Sequence, residues 1–149
     1  TAKGLAFAAE KPIAAVSTLM ALACNVPTCE NEICPMLDAK GGQVYAAIYR
    51  IGNDGTPELV GKEQVIDPEK LLNQIDSHTT FLGNGSTLYA NMIRRILPEK
   101  SVFVPKSCNY IRAGVVGLIG LKKYFDDDMM KTGVLVPTYL RSSYAESKE

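Results

Sequence analysis

The chain has 149 residues, 46% of them hydrophobic and 21% charged, with sixteen basic residues balanced by sixteen acidic ones. That is enough chain for one domain with a real core, and the composition excludes a disordered or low-complexity protein. The charge balance removes any overall field that would gather a polyanion onto the surface, and no apolar run reaches the roughly 18–20 residues that span a bilayer.

Apolar positions Ala2, Leu5, Ala6 and Ala9 predict a helix over 1–11, closed by Lys11-Pro12. It has neither an initiator Met nor an N-cap context, so the chain is expected to begin inside an element, as an N-terminally truncated piece of a longer protein. Residues 13–16 predict a short strand, Ser17 caps a helix over 18–24, and 25–31 read as a polar loop. Cys24, Cys29 and Cys34 recur every five residues, with Cys108 far away. That spacing fits neither zinc knuckles nor redox pairs, and the four read as free thiols of a cytoplasmic protein.

Residues 33–37 form an apolar run ending at Asp38, Gly41-Gly42 supply a turn, and 44–51 are β-branched and aromatic. Asn53-Asp54-Gly55 is a strong turn signal before a third strand over 58–66, so an antiparallel meander is predicted. Asp67-Pro68-Glu69 then opens a helix whose inner face is Leu71, Leu72 and Ile75. A strand over 79–82 runs through Gly83-Asn84-Gly85-Ser86 into a helix over 87–97, and 101–104 form another strand. Ser107 is read as opening a long helix to about Phe125, with Ile111, Val115, Leu118, Ile119 and Lys122 stacked along it. Residues 134–140 are an edge-strand candidate, where Pro137 is tolerable.

The order is βββαβαβα, and strands joined through helices must run parallel by right-handed crossovers. This α/β order is that of the ribonuclease H-like fold, the lobe duplicated in the actin-like ATPase superfamily: a mixed sheet flanked by helices. Residues 32–149 are assigned to one such C-terminal lobe, and 1–31 to the remnant of an N-terminal lobe and its connection.

Two places offer backbone amides to an anion. Asp38 with Gly41 and Gly42 sits where an actin-like lobe holds nucleotide phosphate, although a hairpin needing left-handed residues explains the same pattern. Gly83 and Gly85 stand between a strand and a helix, but without the third glycine of a dinucleotide fingerprint or the Lys of a P-loop. A tight turn with Ser86 as cap is the preferred reading there. Two-metal hydrolysis needs converging carboxylates, and Asp38 finds no second on the strand that ends in Gly-Asn-Gly. The run Asp126-Asp127-Asp128 reads as a solvated helix end, no G-x-S-x-G occurs, and His78 is a lone loop residue. No catalytic or metal constellation is visible.

Three motifs in order carry a resemblance. Thr1-Ala2-Lys3-Gly4-Leu5-Ala6, followed by Ile13-Ala14-Ala15-Val16-Ser17-Thr18-Leu19 and Ala21-Leu22-Ala23, resembles the S-T-A-K-G-L-A … V-S-T-L-x-A-L-A signature of the TsaB (YeaZ) family. Pro35-Met36-Leu37-Asp38-Ala39-Lys40 with Val44-Tyr45-Ala46-Ala47 is similar to its P-x-[IL]-D-A-R-x-x-E-V-Y-x-A, and Pro137-Thr138-Tyr139-Leu140-Arg141 to its P-x-Y-L-R. Lys40 and Gln43 replace the family's Arg and Glu. The family's opening I-D-T-S strand and G-P-G-S-F-T-G-L-R segment have no counterpart here.

The resemblance implies a non-catalytic scaffold subunit of the bacterial complex that makes N6-threonylcarbamoyladenosine in tRNA. It implies pairing with the catalytic subunit TsaD, TsaE as an ATP-hydrolysing partner, tRNA contact only through the complex, and no cofactor of its own. Edges left by a missing lobe make a homodimer an alternative assembly. Lys3 and Phe7 are candidates for partner contact, since Phe7 lies off the Ala2/Leu5/Ala6/Ala9 face. The competing reading is an actin-like nucleotide hydrolase, of the superfamily once labelled glycoprotease, that holds ATP or ADP with Asp38, Gly41, Gly42, Gly83 and Gly85.

Overall fold

The computed structural model describes residues 1–26 and 29–130. Helices α1 (Ala2–Ala8) and α2 (Thr18–Ala23) precede a hairpin pair, β1 (Glu32–Lys40), β2 (Gln43–Ile51) and β3 (Pro57–Ile66). There follow α3 (Pro68–Leu72), β4 (Thr79–Leu82), α4 (Asn84–Leu88), α5 (Ala90–Ile96), β5 (Ser101–Phe103), a 3₁₀ turn (Lys106–Cys108) and α6 (Ala113–Phe125). The strands form one sheet in the order β3-β2-β1-β4-β5. β1, β2 and β3 pair antiparallel, while β1, β4 and β5 pair parallel. This is the mixed ribonuclease H-like sheet that the βββαβαβα order predicts.

The core has two layers because the central strands are covered on both faces. Side-chain alternation along β2 sends Val44 and Ala46 to one face, with Cys34, Met36 and Phe81, under Leu71, Leu72, Ile93 and Leu97 of the α3–α5 side. Ala47 and Tyr49 go to the other, with Ile33 and Leu82, against Leu19, Leu22 and Ala23 of α2. Burial drives the Cys34 thiol pKa far up, so this sulfur is a core group, not a nucleophile.

Caps behave as their sequences demand. Asp67 accepts the N–H groups of Glu69 and Lys70, with Pro68 at the first helical position. Ser17 Oγ accepts from Leu19 and Met20 and also donates to Glu63 Oε1, which in turn accepts the Tyr49 hydroxyl at 2.8 Å. A β-bulge makes that junction. Ala46 pairs with Gln64 and Ile48 with Val60, so residues 61–63 oppose Ala47 alone, and Gly61 takes φ +85°. The bulge re-aims Glu63 toward Tyr49 and the α2 cap.

Several expectations are corrected. Among the described residues, 13–16 form no strand; Ile13 makes an isolated antiparallel bridge to Met130. The helix expected over 87–97 begins at Asn84 and divides at Tyr89. Ser86 does not cap it: its hydroxyl donates back to Gly83 O at 2.9 Å, and Thr87 does so at 3.4 Å, back-bonding that bends helices. The last helix begins at Ala113, not Ser107, and none of its residues is buried. Leu118, one of the residues expected to stack along it, is 70% exposed. Residues 134–140 and the Pro137–Arg141 motif lie outside the described residues.

Candidate functional site

The carboxyl ends of the parallel neighbours β1 and β4 meet in one corner, and most of the anion-binding candidates are found there. Asp38 N–H donates to Asn84 Oδ1 at 3.0 Å, tying the β1–β2 hairpin to the turn between β4 and α4. Gly83 (φ +92°) and Gly85 lie directly on β1: a Cβ on Gly83 would stand 2.3 Å from Met36 O, and one on Gly85 2.9 Å from the same atom. These two glycines are therefore required by close backbone packing whatever else the turn does. Gly41 and Gly42 form the hairpin tip, with φ +62° and +76°, as a two-residue hairpin turn requires.

The polar groups of the corner bond to one another. Asp38 accepts Lys40 N–H on Oδ1 and the Lys40 ammonium on Oδ2, both at 2.8 Å. Those two hydrogen bonds, the ammonium first, hold the Asp38 carboxyl below the usual carboxylate range, and Lys40 is raised in return. Gly83 N–H donates to Asn109 Oδ1 at 2.9 Å, and Asn109 Nδ2 reaches Thr87 Oγ1 at 3.4 Å. Among the described residues no group of three or more His, Cys, Asp or Glu side chains is arranged to hold a metal ion.

Lys3 and Phe7 are on a different element. No residue of α1 is buried, and Phe7 is 74% exposed beside Leu5 at 68%. α6 shows the same uncovered character at Leu118, Leu121, Tyr124 and Phe125. Beneath α6 a trough of about 520 Å³ is lined by Met20, Val26, Pro57, Val115 and Ile119. Lys122 bonds Asp54 at 2.7 Å at its mouth; that ammonium, then Thr56, holds the Asp54 carboxyl well below its ordinary range.

Sequence reasoning missed three asparagines. Asn84 stands between two glycines that were singled out, but Asn25 and Asn109 carry no local signal. Asn25 Nδ2 donates to the carbonyls of Cys108 at 3.0 Å and Tyr110 at 2.8 Å, contacts across more than eighty residues.

Comparison with known proteins follows the same lines. A family model described as "TsaD: tRNA N6-adenosine threonylcarbamoyltransferase" matches residues 1–149. The Bacillus subtilis (strain 168) "tRNA threonylcarbamoyladenosine biosynthesis protein TsaB" is 33% identical over 149 residues, covering 99% of this chain and 63% of that protein. Two solved Pseudomonas aeruginosa structures are similar at 25% identity, each over 93% of this chain. One is YeaZ, with a TM-score of 0.75 and 64% of its length covered. The other is described as having similarity to peptidase YEAZ, with a TM-score of 0.72 and 63% covered. The chain thus spans a little under two thirds of the length of these relatives.

Proposed function

The chain belongs to the family described as TsaD, tRNA N6-adenosine threonylcarbamoyltransferase, among relatives of the TsaB (YeaZ) type, and on that premise we propose that it is a non-catalytic partner subunit in making N6-threonylcarbamoyladenosine in tRNA. It pairs with the catalytic subunit TsaD, works in the cytoplasm with TsaE as a further, ATP-hydrolysing partner, and meets tRNA only within the complex. The observation that carries the reading is the apolar surface left uncovered on α1 and α6, from Leu5 and Phe7 to Leu118 and Phe125. A surface of that kind suits a subunit whose work is association.

The test is a calorimetric titration of the same organism's TsaD into the whole protein. Saturable binding is expected, and no binding sinks the pairing. Phe7→Ala, at a side chain too exposed to matter for folding, is expected to weaken that binding on the order of tenfold. Unchanged affinity would remove Phe7, and the neighbouring Lys3 with it, from the contact. Sedimentation of the protein alone reads the competing use of the same surface, a homodimer.

A nucleotide-hydrolase reading has one observation in its favour, the meeting of Asp38 with the Gly83–Gly85 turn in one corner. ADP or ATP with Mg²⁺ at about 100 times its dissociation constant would stabilise a binding protein by roughly 3 kcal/mol. The partner-subunit reading expects no thermal shift.

A further inference from the structure

We propose that residues 105–112 and the adjoining side of α5 form an RNA-contacting surface, in which Arg94, Lys106 and Arg112 meet phosphates and Tyr110 stacks on a base. That the RNA is tRNA rests on the partner-subunit function proposed above. The balanced charge of the whole chain hides a segregation. Between Ser77 and Phe125 stand seven basic residues and a single acidic one, Glu99, so the rest of the chain carries the compensating negative charge. Four of the seven are already engaged: Lys122 with Asp54, Lys123 with Asp128, Arg95 with Glu69 at 3.9 Å, and Lys100 with the Asp76 carbonyl. Among the described residues, no acidic side chain pairs with Arg94, Lys106 or Arg112.

The backbone holds these three cations in one neighbourhood. The Arg94 guanidinium stands 4.6 Å from the ring centroid of Phe103, the last residue of β5, and Lys106 opens the 3₁₀ turn three residues on. Arg112 Nη2 reaches back to Ser107 O at 3.4 Å, which brings its guanidinium to the residue that follows Lys106. The stretch between them is fixed from two sides. Asn25 Nδ2 donates to the Cys108 and Tyr110 carbonyls, while Asn109 accepts the Gly83 N–H and reaches Thr87 Oγ1. This backbone is a tethered mount, yet the Tyr110 side chain it carries is 72% exposed. Unpaired cations around an exposed aromatic ring suit a polynucleotide: guanidinium and ammonium groups take phosphates, and any base can stack on a tyrosine face. An acidic protein surface would use the cations but has no need of the ring. Three phosphate contacts alone hold RNA weakly, which fits a subunit that meets tRNA inside a complex.

The test is an NMR titration of a short RNA hairpin into the whole protein at low salt. Signals of Lys106, Tyr110 and Arg112 are expected to shift saturably, with a Kd on the order of 10⁻⁴ M that weakens as salt rises. The double variant Lys106→Gln/Arg112→Gln is expected to lose at least tenfold in affinity, and its log–log salt dependence to flatten by about 1.5. Tyr110→Phe keeps a stacking face and should bind as wild type, whereas Tyr110→Ala should weaken binding about tenfold. Lys62→Gln, at an exposed lysine on the opposite edge strand β3, is the control and should change nothing. RNA that leaves the three signals in place, or that binds the double variant as tightly as wild type, overturns the surface. Poly-L-glutamate that shifts the same signals with equal affinity overturns RNA as the partner and makes the patch a seat for an acidic protein. None of these outcomes alters the TsaD titration, so the surface and the pairing stand or fall separately.

Discussion

Gly83→Ala is expected to cost on the order of 3–5 kcal/mol of stability, because two penalties fall on one atom. The backbone there has φ +92° and ψ 169°, a region that side-chain-bearing residues essentially do not occupy. The new Cβ would also lie 2.3 Å from Met36 O, a main-chain atom of the central strand β1 that has no rotamer to escape through. Relief would need β1 and the β4–α4 turn to part, breaking the Asn84–Asp38 bond that joins them. Gly42→Ala is the control. It shares the positive φ but meets nothing within 4 Å, so only the conformational part, about 1 kcal/mol, remains. Urea unfolding with an unchanged m-value measures both, and a loss below about 1 kcal/mol for Gly83→Ala would contradict the close packing.

Phe81→Ala is expected to cost about as much, roughly 3–5 kcal/mol, by a different route. Phe81 is fully buried in β4, between Cys34 on β1 and Phe103 on β5. Its ring lies 6.0 Å from that of Phe103, over which the Arg94 guanidinium sits 4.6 Å from the ring centroid. Truncation opens a cavity under Leu71, Leu72 and Ile93, on elements that the sheet holds too rigidly to collapse into it. The same chemical change at Phe125, 75% exposed on α6, should cost under about 0.5 kcal/mol. Equal losses at the two positions would mean that the sheet face is not the core.

The sheet was legible in the sequence because its signals are local. Asn53-Asp54-Gly55 and Gly41-Gly42 fix turns on their own, and the pair Asp67-Pro68 places a helix start without help from elsewhere. The last helix was misplaced by six residues for the opposite reason. Ser107 is a good cap in isolation, but the Cys108 and Tyr110 carbonyls that a helix would need are held by Asn25, which no local pattern announces. The stack along this helix was legible as an apolar stripe, but a 3.6-residue period does not show that anything covers it. In the corner, the glycines stood out, yet their spacing is equally that of a strand-to-helix turn pressed against Met36. What separates a phosphate loop from a packed turn is where the N–H groups go, and that depends on Asn84 and Asn109 in three dimensions.

The bulge in β3 reaches beyond the cap it serves. β3 is an outer strand of the described sheet, and an outer strand is where one copy of a protein recruits the next into a growing fibre. Three residues crowded opposite one, with Gly61 turned left-handed at their head, break the even row of donors and acceptors that a visiting strand would need. The carboxylate that ties Tyr49 to α2 is thus obtained from the same kink that spoils this edge as a template. At high concentration, self-association of the folded chain should proceed through side-chain faces and not by extension of its sheet at β3.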